Sequence, residues 1–210
     1  MDIPPQPLMP EPADHISLLI VLSGPSGVGK DFLLSRLRAS GRPYHLAVTA
    51  TTRSMRGGER DGVDYHFVSG ERFESMIANE ELLEWANVFG NYYGVPKSQV
   101  VDALGRGQDV ILKIDVQGAA TVRKLAPDAL FIFLAPPSEA ELERRLRGRR
   151  SETADVLRTR IEQARHELQE AETFDYTIVH HTDATDEAAL EIEDIIRHER
   201  RRNPPRVVAL

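Results

Sequence analysis

Ile16-Ser17-Leu18-Leu19-Ile20-Val21-Leu22-Ser23-Gly24-Pro25-Ser26-Gly27-Val28-Gly29-Lys30-Asp31 sets an almost wholly apolar run against a glycine-rich turn. A run of that kind predicts a strand over Ile16 to Leu22, buried on both faces of a parallel sheet. A helical pattern from about Lys30 to Ala39 follows directly. Strand, glycine turn and helix in that order make a phosphate site out of what would otherwise be a plain turn. Gly24, Pro25, Ser26, Gly27, Val28 and Gly29 form the loop whose N–H groups can face phosphate oxygens, and the helix N-terminus adds positive partial charge. Lys30 adds a point charge aimed at a β- or γ-phosphate. Position 31 departs from the usual pattern, which has a Ser or Thr hydroxyl for Mg²⁺; here it is Asp31, itself a hard oxygen ligand.

Outward from this stretch, short apolar runs at Val110 to Ile114, Leu130 to Leu134 and Tyr176 to Val179 alternate with helical segments. That rhythm predicts an α/β fold, a parallel sheet flanked by helices. Pro96 and Gly105 bracket one predicted helix, and Ser138 with Glu141 forms a capping box ahead of another. Leu157, Ile161, Ala164, Leu168 and Ala171 share a helical face and read as core packing. From Thr49 to Pro96 the pattern turns to a polar, glycine-bearing loop followed by alternating segments at Asp64 to Val68 and Leu82 to Phe89, as expected for an inserted substrate lobe.

Composition limits the alternatives. The 210 residues carry a formal net charge of -7, with 41% hydrophobic content, enough for one sizeable core. An acidic chain is not drawn as a whole to nucleic acid or anionic membrane, so any anion site has to be local. The chain has no cysteine, which excludes disulfides, thiolate metal sites and cysteine nucleophiles. No apolar run approaches the roughly 20 residues of a membrane span, and the N-terminus lacks the layout of a secretory signal, so the expected location is the cytoplasm. Residues 1–14, with five prolines, read as a flexible leader, and Asn203 to Leu210 reads as a tail.

The lobe opens with Thr49-Ala50-Thr51-Thr52-Arg53-Ser54-Met55-Arg56, then Gly57-Gly58-Glu59 and Asp64-Tyr65-His66-Phe67. Two arginines three residues apart, with a phenol shortly after, suit a phosphate monoester gripped by guanidinium forks. Taken alone, each of these arginines is as readily a solvated surface residue. A second basic group, Arg144, Arg145, Arg147, Arg149 and Arg150 with Arg158 and Arg160, stands out on an acidic chain as a phosphate-closing lid. A nucleic-acid patch is the weaker reading, since aromatic residues do not interleave with it. His180 and His181, just after the last predicted strand, lack the companions that a metal site needs and read as loop residues.

These motifs, with Leu83-Glu84-Trp85-Ala86, Gly90-Asn91-Tyr92-Tyr93-Gly94, Ile114-Asp115-Val116-Gln117-Gly118 and Ala135-Pro136-Pro137-Ser138, resemble the guanylate kinase family in order, spacing and residue type from about Leu18 to Arg197. The resemblance implies a phosphate-loop fold at 15–202, with a core at 15–47 and 97–202, a GMP-binding lobe at about 48–96 and a helical lid at about 143–160. It implies ATP-dependent phosphorylation of GMP, and of dGMP, with Mg²⁺, in a monomer or homodimer without nucleic-acid or membrane partners. By the same resemblance Arg53, Arg56, Tyr65 and Tyr93 hold the GMP phosphate, while Thr49, Glu84 and Asp115 face the guanine. Lys30, Arg56, Arg145, Arg149 and Arg160 are expected at the transferring phosphoryl group, and Asp31 and Asp115 at the metal. Val95 stands where the family often has a hydroxyl. Lys113 stands where an acidic residue is common, so a Lys113–Asp31 pair is expected as a charge exchange. Asp31 also suits a ribose 1,5-bisphosphate kinase related to this family. A non-catalytic phosphopeptide-binding module of the same fold would usually show a degraded phosphate loop.

Overall fold

The computed structural model describes residues 16–88, 90–148 and 154–210. The leader expected at 1–14 and the lid residue Arg149 lie outside the described residues. Strand β1 (Leu19–Ser23) is buried along its whole length, as its unbroken apolar sequence requires. It lies at the centre of a five-stranded parallel sheet in the order β2-β7-β1-β8-β9, where β2 is His45–Leu46, β7 Val110–Lys113, β8 Leu130–Ala135 and β9 Tyr176–Val179. Because β7 and β8 flank β1 on opposite sides, the crevice beyond the carboxyl end of β1 is where such a sheet takes a ligand.

Helices close both faces. On one, α1 (Lys30–Ala39) and α7 (Thr185–Glu199) bring Leu33, Leu37, Ile192 and Ile196 onto Ile20, Leu22 and Ile132. On the other, α3 (Lys97–Gly105) and α4 (Val116–Leu125) bring Val100, Ala103 and Val122 onto Leu19, Val21 and Leu112. Alternate residues of β1 thus feed two separate cores, the period-2 consequence of a strand covered on both sides.

The segment between β2 and α3 forms the smaller lobe. Its sheet has the order β4-β3-β6-β5, with β3 Ala50–Thr51, β4 His66–Phe67, β5 Leu82–Val88 and β6 Asn91–Pro96. Helix α2 (Gly70–Ala78), capped by Ser69 accepting from the Arg72 amide, covers this sheet with Phe73 and Met76. Of the capping box expected at Ser138, the cap itself is present: Ser138 Oγ accepts from the Glu141 amide at the start of α5 (Glu139–Arg147), while the Glu141 carboxylate accepts from Arg144 and Arg145. Leu142 and Leu146 of α5 then pack on Leu157, Ile161, Ala164 and Leu168 of α6 (Ala154–Gln169). Residues 203–210 run back along the core: Arg206 bonds Glu199 and the Ala129 carbonyl, and Val208 packs at the α4 side. Among the described residues no helix is long and apolar enough to cross a membrane.

Candidate active site

A cavity of about 490 Å³ separates the carboxyl end of β1 from the small lobe. Its floor is the glycine loop. Gly24 lies so close to β8 that a Cβ would come within 2.2 Å of the Leu134 carbonyl oxygen, and its φ of 145° is open to glycine alone. Gly29, at the start of α1, faces the His180 ring so closely that a Cβ would meet Cε1 at 2.5 Å. Lys30 Nζ donates to the Gly24 carbonyl at 2.5 Å and the Pro25 carbonyl at 3.2 Å, and burial pushes its pKa down. The lysine therefore caps the loop's own carbonyls while standing beside the N–H groups that a phosphate would use.

Helix α6 leans over the loop. Arg160 Nη2 donates to Ser26 Oγ at 2.8 Å, and the Glu167 carboxylate accepts the Ser26 amide at 2.9 Å. Arg160, Gln163 and Glu167 all line the cavity. Beneath the loop, the Val28 carbonyl accepts from Arg145 Nη1 at 2.9 Å and from His180 Nδ1 at 2.7 Å. Arg145 also donates to the His180 carbonyl and to Glu141. Its guanidinium thus braces the loop from behind, and Arg145, Pro25 and Val28 are not among the cavity-lining residues. Gly24, Ser26, Gly27, Gly29, Lys30 and Asp31 are.

The opposite wall gathers Thr49, Arg53, Arg56, Tyr65, Glu84, Tyr93 and Asp115. Arg53 has only 11% of its side chain exposed and meets Glu59 through two hydrogen bonds, at 3.0 and 2.8 Å. That pairing raises the Arg53 pKa and holds the Glu59 carboxyl below the usual range. The guanidinium carbon also stands 5.2 Å from the centroid of the Tyr65 ring, which in turn meets the Tyr93 ring edge-on. Arg56 is exposed, and its backbone amide donates to Glu59 at 2.7 Å. The loop is thereby folded around one carboxylate so that both arginines border the same space.

Glu84 is only 4% exposed. A register shift in the β5–β6 pairing between Leu82 and Glu84 explains how two successive residues are buried: Leu83 enters the α4-side core and Glu84 turns to the cavity. Burial, with Asp115 adding like-charge repulsion, pushes the Glu84 pKa up to about 8. The carboxylate fits only because residue 118 is glycine, where a Cβ would lie 2.5 Å from Glu84 Oε2. Nearby, Thr49 Oγ1 is buried without a protein partner. Asp115 caps α4, accepting from the Gly118 amide at 2.8 Å.

Mg²⁺ usually takes one or two carboxylates together with phosphate oxygens and water. Asp31, with 75% of its side chain exposed at the cavity edge and next to Lys30, fits that demand. Asp115 already has one oxygen held by its helix cap. Among the described residues no cluster of three metal-ligating side chains occurs, so any ion here depends on the phosphates it accompanies. The expected Lys113–Asp31 pair is present at 2.5 Å.

Sequence reasoning gave no task to two residues that shape this site, Glu59 and Glu167, and read a third, His180, as a loop residue, whereas it is buried beneath the phosphate loop. None carries a local signal for these contacts. Each acts through a contact set by the folded chain, and His180 stands 152 positions from the carbonyl it supports.

Comparison with known proteins agrees with the geometry. The family model described as guanylate kinase matches residues 17–199. "Guanylate kinase 2, chloroplastic/mitochondrial" of Oryza sativa subsp. japonica is 44% identical over 204 residues, 97% of this chain and 70% of that protein. The guanylate kinase of Carboxydothermus hydrogenoformans is 43% identical over 89% of this chain and 90% of its own length. A crystal structure of guanylate kinase from Anaplasma phagocytophilum superposes with a TM-score of 0.73 at 34% identity, covering 90% of this chain and 88% of that one. A two-cradle cavity on a parallel sheet, a family model spanning residues 17–199 and relatives matched over 70–90% of their own lengths lead to one conclusion: the chain belongs to the guanylate kinase family.

Proposed function

We propose that the ATP-to-GMP phosphoryl transfer of this family runs here by direct attack of a GMP phosphate oxygen on the γ-phosphorus of ATP, giving ADP and GDP. The supporting observation is Glu84, a buried carboxylate beside the unpartnered Thr49 hydroxyl, facing the same cavity as Arg53, Arg56 and Tyr65. Guanine offers N1–H and an exocyclic amine to such a carboxylate, whereas adenine presents an acceptor at N1 that would leave it unsatisfied. Asp115 adjoins Glu84 on the base side, and Tyr93 completes the phosphate grip. No assigned contact involves the ribose 2′-OH, so dGMP belongs to the same acceptor class.

On the donor side the loop amides and Lys30 hold the ATP phosphates. Lys30 exchanges the Gly24 and Pro25 carbonyls for phosphate oxygens, and Glu167 yields the Ser26 amide to them. Arg160 stands over the loop where negative charge is redistributed during transfer. Arg145 acts on the loop from behind, and Arg149 is assigned to the lid by resemblance alone. Asp31 holds the metal ion. Bound there, Mg²⁺ would neutralise charge on the ATP phosphates. The acceptor phosphate is already largely ionised at neutral pH, so the protein's work is alignment and charge neutralisation, and no general base is required.

Initial rates of ADP release with GMP, dGMP, AMP, UMP and ribose 1,5-bisphosphate as acceptors test this reading. Turnover with GMP and dGMP far above the other three is the expected result. Preference for ribose 1,5-bisphosphate would assign Asp31 to a different acceptor chemistry and overturn the proposal.

A further inference from the structure

The cavity holds one charged group that the transfer scheme leaves without a task. Lys113 ends β7, at the seam between the core and the small lobe. Only 14% of its side chain is exposed. Its ammonium lies 2.5 Å from Asp31 Oδ1 on the donor side and 3.0 Å from Tyr65 Oη on the acceptor side, with the Tyr65 ring centroid 4.4 Å away. Lysine can only donate, so the phenol accepts from it and keeps its own proton to offer. One cation therefore stands one hydrogen bond from the carboxylate suited to the metal and one hydrogen bond from the phenol assigned to the acceptor phosphate.

We propose that Lys113 is an exchangeable charge that couples the two substrates: paired with Asp31 in the substrate-free protein, it turns to the GMP phosphate when Asp31 is drawn to the donor's metal ion. The inference rests on the guanylate kinase reading and on Asp31 as the metal carboxylate. Two highly charged phosphate groups have to approach to within bonding range in this cavity, and their repulsion opposes simultaneous binding. A cation released by the first substrate and taken up by the second offsets that repulsion. No bond or proton changes hands; only the partner of the ammonium does. Asp31 sits in the first turn of α1, so its rearrangement needs no movement of the sheet. Linkage then makes the effect mutual: bound GMP tightens the donor as much as the bound donor tightens GMP.

Calorimetric titration of GMP, with and without saturating Mg²⁺ and a non-hydrolysable ATP analogue, reads the coupling directly. The unmodified protein is expected to bind GMP on the order of tenfold more tightly in the loaded state. Lys113→Met should weaken GMP binding and erase the difference between the two states. Asp31→Asn should do the opposite in the donor-free protein, tightening GMP severalfold because the ammonium is no longer held back. A merely structural pair would weaken GMP binding in both variants. Asp31 is largely exposed, so its variant does not endanger the fold, and Lys113→Gln replaces Lys113→Met if the latter melts early. Weaker or unchanged GMP binding in Asp31→Asn, or full coupling retained in Lys113→Met, overturns the proposal. Absence of GMP binding to the unmodified protein would contradict the guanylate kinase reading, and this inference with it.

Discussion

Glu84 concentrates the chemistry of the acceptor side in one carboxyl group. Its raised pKa means that the folded site holds a proton that the unfolded chain releases above 4.5. The sign follows from linkage: the folded state binds the extra proton between 4.5 and about 8, so keeping Glu84 buried costs stability progressively as pH rises through that window. Guanine binding favours the anion. GMP affinity should therefore rise from pH 7 to 8.5, above the range in which the GMP phosphate itself titrates, with proton release detectable by calorimetry in buffers of different ionisation enthalpy. Glu84→Gln should flatten that pH dependence and lower GMP affinity at least about tenfold by replacing an acceptor with a donor. The same variant should melt above the unmodified protein by a margin that widens from pH 5 to 8, at roughly 2–4 °C for each kcal/mol recovered.

Elements place these residues, and two glycines show how closely. Gly118 lies inside α4, where alanine would favour the helix by about 1 kcal/mol. Its Cβ would nonetheless collide with Glu84. Gly118→Ala should thus leave the melting temperature almost unchanged while weakening GMP at least tenfold, on the order of the loss of a charge-assisted contact, and leaving ATP affinity intact. At the other end of the cavity, β9 delivers His180 beneath the phosphate loop, with Nε2 held by Thr185 Oγ1 at the start of α7. His180→Ala removes this brace and opens a void under Gly29. ATP affinity is expected to fall about tenfold with GMP affinity unchanged, together with about 1–3 kcal/mol of stability by chemical denaturation.

How far the elements were legible follows the same division. The β1–loop–α1 unit could be read from sequence because its apolar run and glycines are consecutive, and the helix begins at Lys30 as expected. The strand itself starts at Leu19 rather than Ile16, because pairing with β7 begins at Leu19 and Val110. Strands β7, β8 and β9 were legible for the same reason as β1. Strand β2 has two residues, too few for a period, whereas helix α2, nine residues with Phe73 and Met76 buried, is as long as α3 and lies unread within a stretch whose pattern reads as loop and alternating segments. No local pattern marks Glu84 for burial. Its burial arises from a shift in strand register that no single-strand pattern encodes, and only the family resemblance pointed to it.

At the scale of the whole molecule, two anion cradles with different chemistry face one space. Backbone amides and Lys30 on a rigid sheet make the donor cradle, and side-chain guanidiniums on a lobe with its own small core make the acceptor cradle. Glu59 and Glu167 stand in the two cradles, each holding donors that a substrate would claim. These contacts keep the guanidinium and the loop amide in place for a ligand. Replacing Glu59 with Gln should loosen the Arg53–Arg56 loop and raise the KM for GMP without changing that for ATP, as initial-rate kinetics would show.

The claim that both cradles serve one reaction is tested most directly by a single ligand that fills them together. An adenosine and a guanosine joined through a pentaphosphate should bind at least a hundredfold more tightly than ADP or GMP alone, because the second contact becomes intramolecular. Arg53→Ala should reduce that affinity to the level of the adenosine half. Binding no tighter than ADP in the unmodified protein would mean that the two sites do not meet across the cavity, and would contradict the account.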